Sequence, residues 1–230
     1  EGTASMSHRL PGVSADNLAL FTDLYELTMA QAYWREGMDG RAVFSLFSRN
    51  LPGHRNFLLA CGLDDALTYL ETLRFTEPAI GHLGTLGLFS DEFLDWLRTF
   101  RFTGDVWAVP EGTPVFAGEP ILEVDAPIVE AQIAETYIMN QVHLQTVLAS
   151  KAVRVVQAAE GRAVVDFGMR RIHGTDAALK AARAGYIAGI ESTSDVLAGE
   201  LYGMPVAGTM AHSFSQAFDN EVDAFRACVH

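Results

Sequence analysis

Cysteine is scarce. Cys61 and Cys228 are the two in 230 residues, and they lie far apart. That count excludes a disulfide framework. The spacing matches no zinc-ligand pattern, so both read as structural thiols of a reducing, cytoplasmic compartment. No apolar run reaches the roughly 18 residues a membrane-spanning helix needs, and no secretory leader is visible. Glu1 to Ser7, around Met6, read as an expression remnant outside the fold. Cations are also few, with 16 Lys and Arg against 29 Asp and Glu for a net charge of −13. A general nucleic-acid binder would show the opposite balance. Three motifs are missing as well. Without a Gly-x-x-x-x-Gly-Lys-Ser/Thr loop, a Gly-x-Gly-x-x-Gly fingerprint or a serine-hydrolase elbow, the P-loop, dinucleotide-fold and hydrolase readings have no support.

What is present is unevenly placed. The hydrophobic share of 49% is enough for a substantial core. From Lys151 to Arg183 the net charge is +4, against −17 for the rest of the chain. An acidic protein with one basic segment can receive a small anion there, although a solvated helix face explains the same charges.

The first half mixes helices and strands. Leu18 to Glu36 reads as a helix with a broad apolar face, stopped by Gly37 and capped by Thr22 or Asp23. Tyr25 lies near its start and reads first as a core or rim aromatic. Arg41 to Ser48 reads as a strand, Leu51 to Arg55 (with His54) as a loop and Phe57 to Cys61 as a short apolar run. Leu63 to Leu73 reads as an amphipathic helix. A further helix starts after Ser90, with Phe93, Leu94 and Leu97 turned inward. Asp105 to Val124 is punctuated by Pro110, Gly112, Pro114, Gly118 and Pro120, which suits three short strands. Pro127 opens a long helical stretch. It covers Ile128 to Asn140 and continues, after a break, through His143 to Ala159, closed by Gly161. Glu135 on this apolar helix is expected to pair with an arginine.

From Arg162 the pattern changes. Ala163 to Gly168 reads as a strand, followed by a polar loop, Met169 to Gly174. Thr175 is expected to cap a helix to Ala188. Ile190 and Glu191 form a short strand, followed by a Ser192–Thr193–Ser194 loop and a helix from Asp195 to Leu201. Met204 to Ala207 form the next strand, and Gly208 to Ser213 its loop. A last helix runs from Phe214 to Val229, capped by Ser213. Three strand–loop–helix units in a row imply a parallel sheet with right-handed crossovers. Their loops then gather at one end, as on the functional face of an α/β barrel. Arg170, Arg171 and His173, the hydroxyls of Ser192, Thr193, Ser194, Thr209 and Ser213, and His212 would meet there. That set suits a phosphorylated substrate, since arginines fork onto phosphate oxygens and helix N-termini attract anions.

Four segments carry a resemblance: Thr22-Asp23-Leu24-Tyr25, Asp166-Phe167-Gly168-Met169-Arg170-Arg171, Ser192 to Gly199, and Gly208-Thr209-Met210-Ala211-His212-Ser213-Phe214. Together they resemble the nicotinate phosphoribosyltransferase family, from Leu18 to about Ala227 and in the same order. Asp195 departs from the pattern, where a neutral residue such as Asn is expected. Its charge opposes phosphate unless the side chain caps a helix.

The resemblance implies an α/β fold of type II phosphoribosyltransferase kind. An N-terminal α+β domain (8–126) with a β-rich patch would pass through a helical connection (127–161). The first three βα units of an incomplete α/β barrel (162–230) would follow. It implies transfer of phosphoribosyl from phosphoribosyl pyrophosphate to nicotinate in NAD salvage, coupled to ATP, with Mg²⁺ accompanying pyrophosphate. His212 matches the transiently phosphorylated histidine. Tyr25 and Thr209 match contacts to the nicotinate ring, with Tyr25 reaching a neighbouring subunit's site in a homodimer. Arg170 and Arg171 match the basic pair near the phosphoribosyl group, and Phe167, His173, Ser192 and Ser213 complete the substrate-binding set. Three βα units do not close a barrel, which takes about eight. A complementary C-terminal chain or segment is therefore expected, with the ribose 5-phosphate site beyond His230. A paralogue for another pyridine base and a non-catalytic assembling fragment stay open as alternatives.

Overall fold

A computed structural model describes residues 12–53 and 55–228. The Glu1–Ser7 remnant, His54 and the expected helix end at Val229 lie outside the described residues. The chain forms two compact units, dividing after Leu144.

The first unit begins with a short 3-10 turn, Leu18–Leu20, and then helix α1, Leu24–Arg35. The single helix expected from Leu18 is therefore interrupted. Asp23 adopts extended backbone at the α1 N-cap, so the helix starts afresh there. Strand β1 (Arg41–Phe47), strand β2 (Leu58–Leu59) and helix α2 (Leu63–Thr72) follow. Gly62, before α2, sits at φ +99°, and a Cβ there would stand 2.8 Å from the Gln141 carbonyl oxygen. Its backbone N–H and that of Leu63 donate to Glu111 Oε1 at 2.6 and 3.0 Å. The α2 N-terminus is thus capped by a carboxylate from a distant loop.

Helix α3 (Glu77–Thr85) is an addition to the expected elements; Thr76 caps it and Pro78 sits in its first turn, both ordinary start signals. Helix α4 (Asp91–Thr99) is capped by Ser90, and Phe93, Leu94 and Leu97 are buried as expected. Strands β3 (Asp105–Ala108), β4 (Pro114–Val115) and β5 (Pro120–Pro127) supply the β-rich patch. β5 lies between β1 and β3, antiparallel to both, and β2 pairs with β4. Helix α5, Ile128–Ala158, then runs 31 residues without the expected break. Leu27, Phe93, Leu97, Leu122, Val124, Ile133 and Val142 share one core made from the sheet, the helices and the first part of α5.

The second unit holds the strand–helix alternation. Strand β6 is only Val165–Asp166, followed by a 3-10 turn at Met169–Arg171. Helix α6 covers Thr175–Ile187 with Gly174 as N-cap, so Thr175 lies inside the helix rather than capping it. Strand β7 is Ser192–Thr193, two residues later than the expected Ile190–Glu191 strand. It pairs in parallel with β6, and Thr193 makes a parallel bridge to Val206. Helix α7 (Val196–Tyr202) ends at Gly203 in the left-handed region. The expected last helix is two: α8, His212–Gln216, and α9, Glu221–Cys228. Asn220 divides them, its Oδ1 accepting from the Asp223 N–H at 3.0 Å as an N-cap does. Ser213 lies inside α8, and the N-cap position is held by Ala211, which has no capping group.

Small residues set the close packing here. A Cβ on Gly199 of α7 would fall 2.3 Å from Val206 Cγ2, so the glycine lets the helix lie directly on the third strand position. Apolar side chains nevertheless remain exposed along α7 and α9, including Val196 at 72%, Leu201 and Val222.

Candidate functional site

Because β6, β7 and the Val206 strand position run parallel, the segments after them emerge at one end of the sheet. Hydrogen bonds knit that end. The Ser194 N–H donates to the Asp166 carbonyl at 2.8 Å, and the Ala207 N–H to the Thr193 carbonyl at 2.9 Å. Asp166 Oδ1 accepts from the Gly168 N–H at 2.8 Å, and Oδ2 from Thr193 Oγ1 at 3.3 Å. Thr193 Oγ1 accepts in turn from the Asp195 N–H at 3.1 Å, and Asp195 Oδ1 takes the Ala198 N–H at 3.1 Å. Asp166, Thr193 and Asp195 form a relay that holds two of the three loops. The sequence put Thr193 on this face as a loop hydroxyl and gave Asp166 no role of its own, and neither was expected to tie the strands together. The signal was available, since a short polar side chain at a strand end commonly ties its own turn.

An open cleft of about 440 Å³ lies beside the relay, lined by Met169, Arg170, Ile172, Gly174, Thr175, Leu179, Asp195 and other residues. Arg170 is exposed there, next to the start of α6. The α6 N-cap is Gly174, which brings no side chain to the first N–H groups, and the positive end of the helix dipole lies there. At α7 the corresponding groups are met by Asp195 itself. The departure at Asp195 is therefore a capping carboxylate.

The other expected residues divide. Arg171, His173 and Phe167 are exposed on the loop after β6. Thr209, His212 and Ser213 are exposed at and after the third strand position, and none of the three lines the cleft. Ser192 is a buried strand residue instead of a loop residue. His212 opens α8, a helix of five residues, so the expected anion site at a long helix start is not formed there.

Tyr25 belongs to the first unit. It lies in the first turn of α1, and its hydroxyl donates to Glu135 Oε1 on α5 at 3.1 Å. Glu135 also accepts from Gln132 Nε2 at 3.3 Å, so its partners are a phenol and an amide and not the expected arginine. Glu26, fully buried, is bonded by the same Gln132 amide, and Thr136 Oγ1 lies 3.0 Å from its Oε1. Burial pushes the Glu26 carboxyl above its ordinary value, partly offset by these donors. The Tyr25 phenol is raised as well, first by hydrogen bonding to Glu26, then by partial burial and the negative field of Glu26 and Glu135. It stays protonated at any physiological pH. A cavity of about 210 Å³ between sheet and helix, lined by Phe44, Leu122, Ile138 and Met139, also reaches Glu135.

An α+β unit followed by parallel strand–helix units, with a basic loop and a helix start at the strand ends, is the architecture of a type II phosphoribosyltransferase. The sequence profile of the nicotinate phosphoribosyltransferase (NAPRTase) N-terminal domain matches residues 20–143, and the chain belongs to that family. Nicotinate phosphoribosyltransferase pncB2 of Mycobacterium tuberculosis is 62% identical over 209 residues, covering 91% of this chain and 45% of the relative. The Bacillus subtilis nicotinate phosphoribosyltransferase is 41% identical over 216 residues, covering 94% of this chain and 44% of the relative. The crystal structure of human nicotinic acid phosphoribosyltransferase superposes with a TM-score of 0.79 at 37% identity, covering 86% of this chain and 40% of that one. A nicotinate-nucleotide pyrophosphorylase from Pyrococcus furiosus shares the fold at a TM-score of 0.77 and 22% identity, covering 96% of this chain and 49% of that one. The chain thus spans about half the length of the curated relatives it matches. Among the described residues, no helix is long and apolar enough to cross a membrane.

Proposed function

We propose that this chain supplies the first portion of a nicotinate phosphoribosyltransferase acting in NAD salvage. Its family membership carries the reading, and the cleft beside Arg170 and the α6 start supports it. In the reaction the nicotinate ring nitrogen forms a bond to C1 of phosphoribosyl pyrophosphate. The C1–O bond breaks, and its electron pair leaves on pyrophosphate. The transition state is cation-like at C1, so the protein's work is to position the base, neutralise the leaving group and exclude water. Arg170, Arg171 and the first N–H groups of α6 would receive phosphate oxygens. Phe167, His173, Thr209 and Ser213, exposed on the loops after the strands, would complete the substrate contacts, and Ser192 would support them from within β7. Tyr25 would meet the pyridine ring, as a contribution to a neighbouring subunit of a homodimer. Among the described residues no group of three or more His, Cys, Asp or Glu could hold a metal. Mg²⁺ would arrive with pyrophosphate as part of the substrate.

ATP coupling would run through His212. A neutral imidazole nitrogen attacks the γ-phosphorus, a P–N bond forms, and ADP leaves with the electrons of the broken P–O bond. The phosphohistidine adds negative charge and alters substrate and product affinity until water removes it. Replacing His212 with Ala should abolish the stimulation by ATP, and an unchanged stimulation would refute this role.

The exposed apolar faces of α7 and α9 support a complementary segment that continues the parallel sheet, in keeping with the greater length of the relatives. The complete protein would act in the cytoplasm. The decisive assay supplies it with nicotinate, phosphoribosyl pyrophosphate and Mg²⁺. Formation of nicotinate mononucleotide is the expected result. Turnover with nicotinamide or quinolinate in place of nicotinate would overturn the assigned base, and no turnover with any base would leave the chain an assembling fragment.

A further inference from the structure

A phenol has one proton to give. The Tyr25 hydroxyl is set between two carboxylates: it donates to Glu135 Oε1 at 3.1 Å, a partner 110 positions away in sequence, and Glu26 is a second acceptor within its reach. Glu135 is itself fixed by the Gln132 amide at 3.3 Å. On the other side of Tyr25, Thr136 Oγ1 lies 3.0 Å from both Glu26 Oε1 and Asp23 Oδ2, and it accepts from the Asp23 N–H at 3.3 Å. The first turn of α1 is thus stitched to α5 both before and after Tyr25. The ring is half-exposed while its tip is anchored. Fixing the tip sets the direction of the ring axis before any ligand arrives, which lowers the ordering cost of a contact. The surroundings also carry a sign. Glu26 and Glu135 are two acids beside one phenol whose proton is already committed.

Resting on the reading of Tyr25 as a base contact, we infer that Glu135 is a positioning residue that holds the Tyr25 side chain in place by its tip, so that the ring meets the pyridine ring of the substrate without offering it a hydrogen-bond donor. The substrate carboxylate then points away from this cluster, toward donors elsewhere. Glu135 touches no substrate atom. It acts through the Tyr25 hydroxyl.

The test uses the complete enzyme and five variants: Tyr25→Ala, Tyr25→Phe, Glu135→Ala, Glu135→Gln and the Tyr25→Phe/Glu135→Ala double. The measurements are KM for nicotinate, KM for phosphoribosyl pyrophosphate, and kcat. Tyr25→Ala should raise the nicotinate KM most. Tyr25→Phe and Glu135→Ala should each raise it by roughly threefold to tenfold, as loss of one ordinary hydrogen bond predicts. Neither should move the KM for phosphoribosyl pyrophosphate. The double variant should be no worse than either single one, because both remove the same link. Glu135→Gln keeps an acceptor oxygen and should restore most of the loss. Tyr25→Phe reads the link even where Glu135→Ala folds poorly. If Tyr25→Ala raises the nicotinate KM while Tyr25→Phe and Glu135→Ala do not, the positioning role is refuted and the base contact stands. If Tyr25→Ala leaves it unchanged, both fall. If Glu135→Ala raises both KM values and Glu135→Gln fails to rescue, Glu135 is merely structural and the inference is refuted.

Discussion

Thr193 Oγ1 donates to Asp166 Oδ2 at 3.3 Å, joining the ends of two neighbouring parallel strands by their side chains. The same oxygen accepts from the Asp195 N–H at 3.1 Å, and Thr193 is fully buried. Thr193→Val keeps the shape and β propensity but leaves that buried N–H without its partner. An unsatisfied buried donor costs about 1–3 kcal/mol. Urea denaturation of the variant should show a loss of that size. A change below about 0.5 kcal/mol, the usual scatter of neutral substitutions, would show that the relay carries no stability.

Gly199 and Val206 give a packing prediction. A Cβ at Gly199 would stand 2.3 Å from Val206 Cγ2 and 3.3 Å from the Met204 carbonyl oxygen. Valine is stiff at χ1 and cannot swing its methyl aside freely. Overpacking of this kind costs about 1–3 kcal/mol, whereas Gly→Ala within a helix gains up to about 1 kcal/mol. Gly199→Ala alone should therefore lower the melting temperature. Adding Val206→Ala, at a half-exposed position, should recover it, and a double variant as unstable as the single one would place the strain elsewhere.

Glu26 predicts a pH dependence. Its folded-state pKa is raised above the ordinary value of 4.5, with burial the largest cause. The neutral carboxyl is the form the fold prefers. Its contribution is fully present below about pH 4.5 and is lost as pH rises through the higher folded value. Glu26→Gln has no such proton to lose. The stability of the unmodified chain relative to Glu26→Gln should fall as pH rises from 4.5 toward neutrality. A difference that is flat, or grows with pH, would mean that the carboxyl is held ionised.

Much of this was legible in the sequence where the cause is local. β1, α2 and α4 follow from alternation, helical period and the Ser90 cap. The three parallel units follow from their order, although their strands are shorter than the apolar runs suggested. Other features were present but underweighted. Thr76 and Pro78 announce α3, and Asn220 with Asp223 announces the break before α9. The polar contacts at Asn140 to His143 did not break α5, because the helix is buried on one side by the core and interior polar residues such as Gln141 do not end it. The Glu135 partner could not be read at all, since Tyr25 reaches it only when two helices pack. Charge complementarity favoured an arginine, but folding put a phenol there.

The last prediction concerns the departure at Asp195. Its carboxylate caps α7 through Ala198 N–H at 3.1 Å, and it also lines the cleft beside Arg170. Two roles are joined in one side chain. The cap needs an oxygen acceptor, which asparagine supplies as well as aspartate does. The negative charge serves the helix dipole modestly and works against an anion in the cleft. Asp195→Asn separates these effects. Unfolding stability should stay within about 0.5 kcal/mol, because the cap remains. Affinity of the complete enzyme for pyrophosphate should rise by roughly threefold to tenfold at low salt, and the gain should shrink as salt screens the removed charge. Asp195→Ala removes cap and charge together. It should bind pyrophosphate no worse than Asp195→Asn while losing about 1 kcal/mol of stability. Isothermal titration with pyrophosphate and Mg²⁺, run beside urea melts of the three proteins, reads both quantities. Unchanged affinity in Asp195→Asn would mean that the phosphate groups do not enter the cleft at Arg170 and the α6 start.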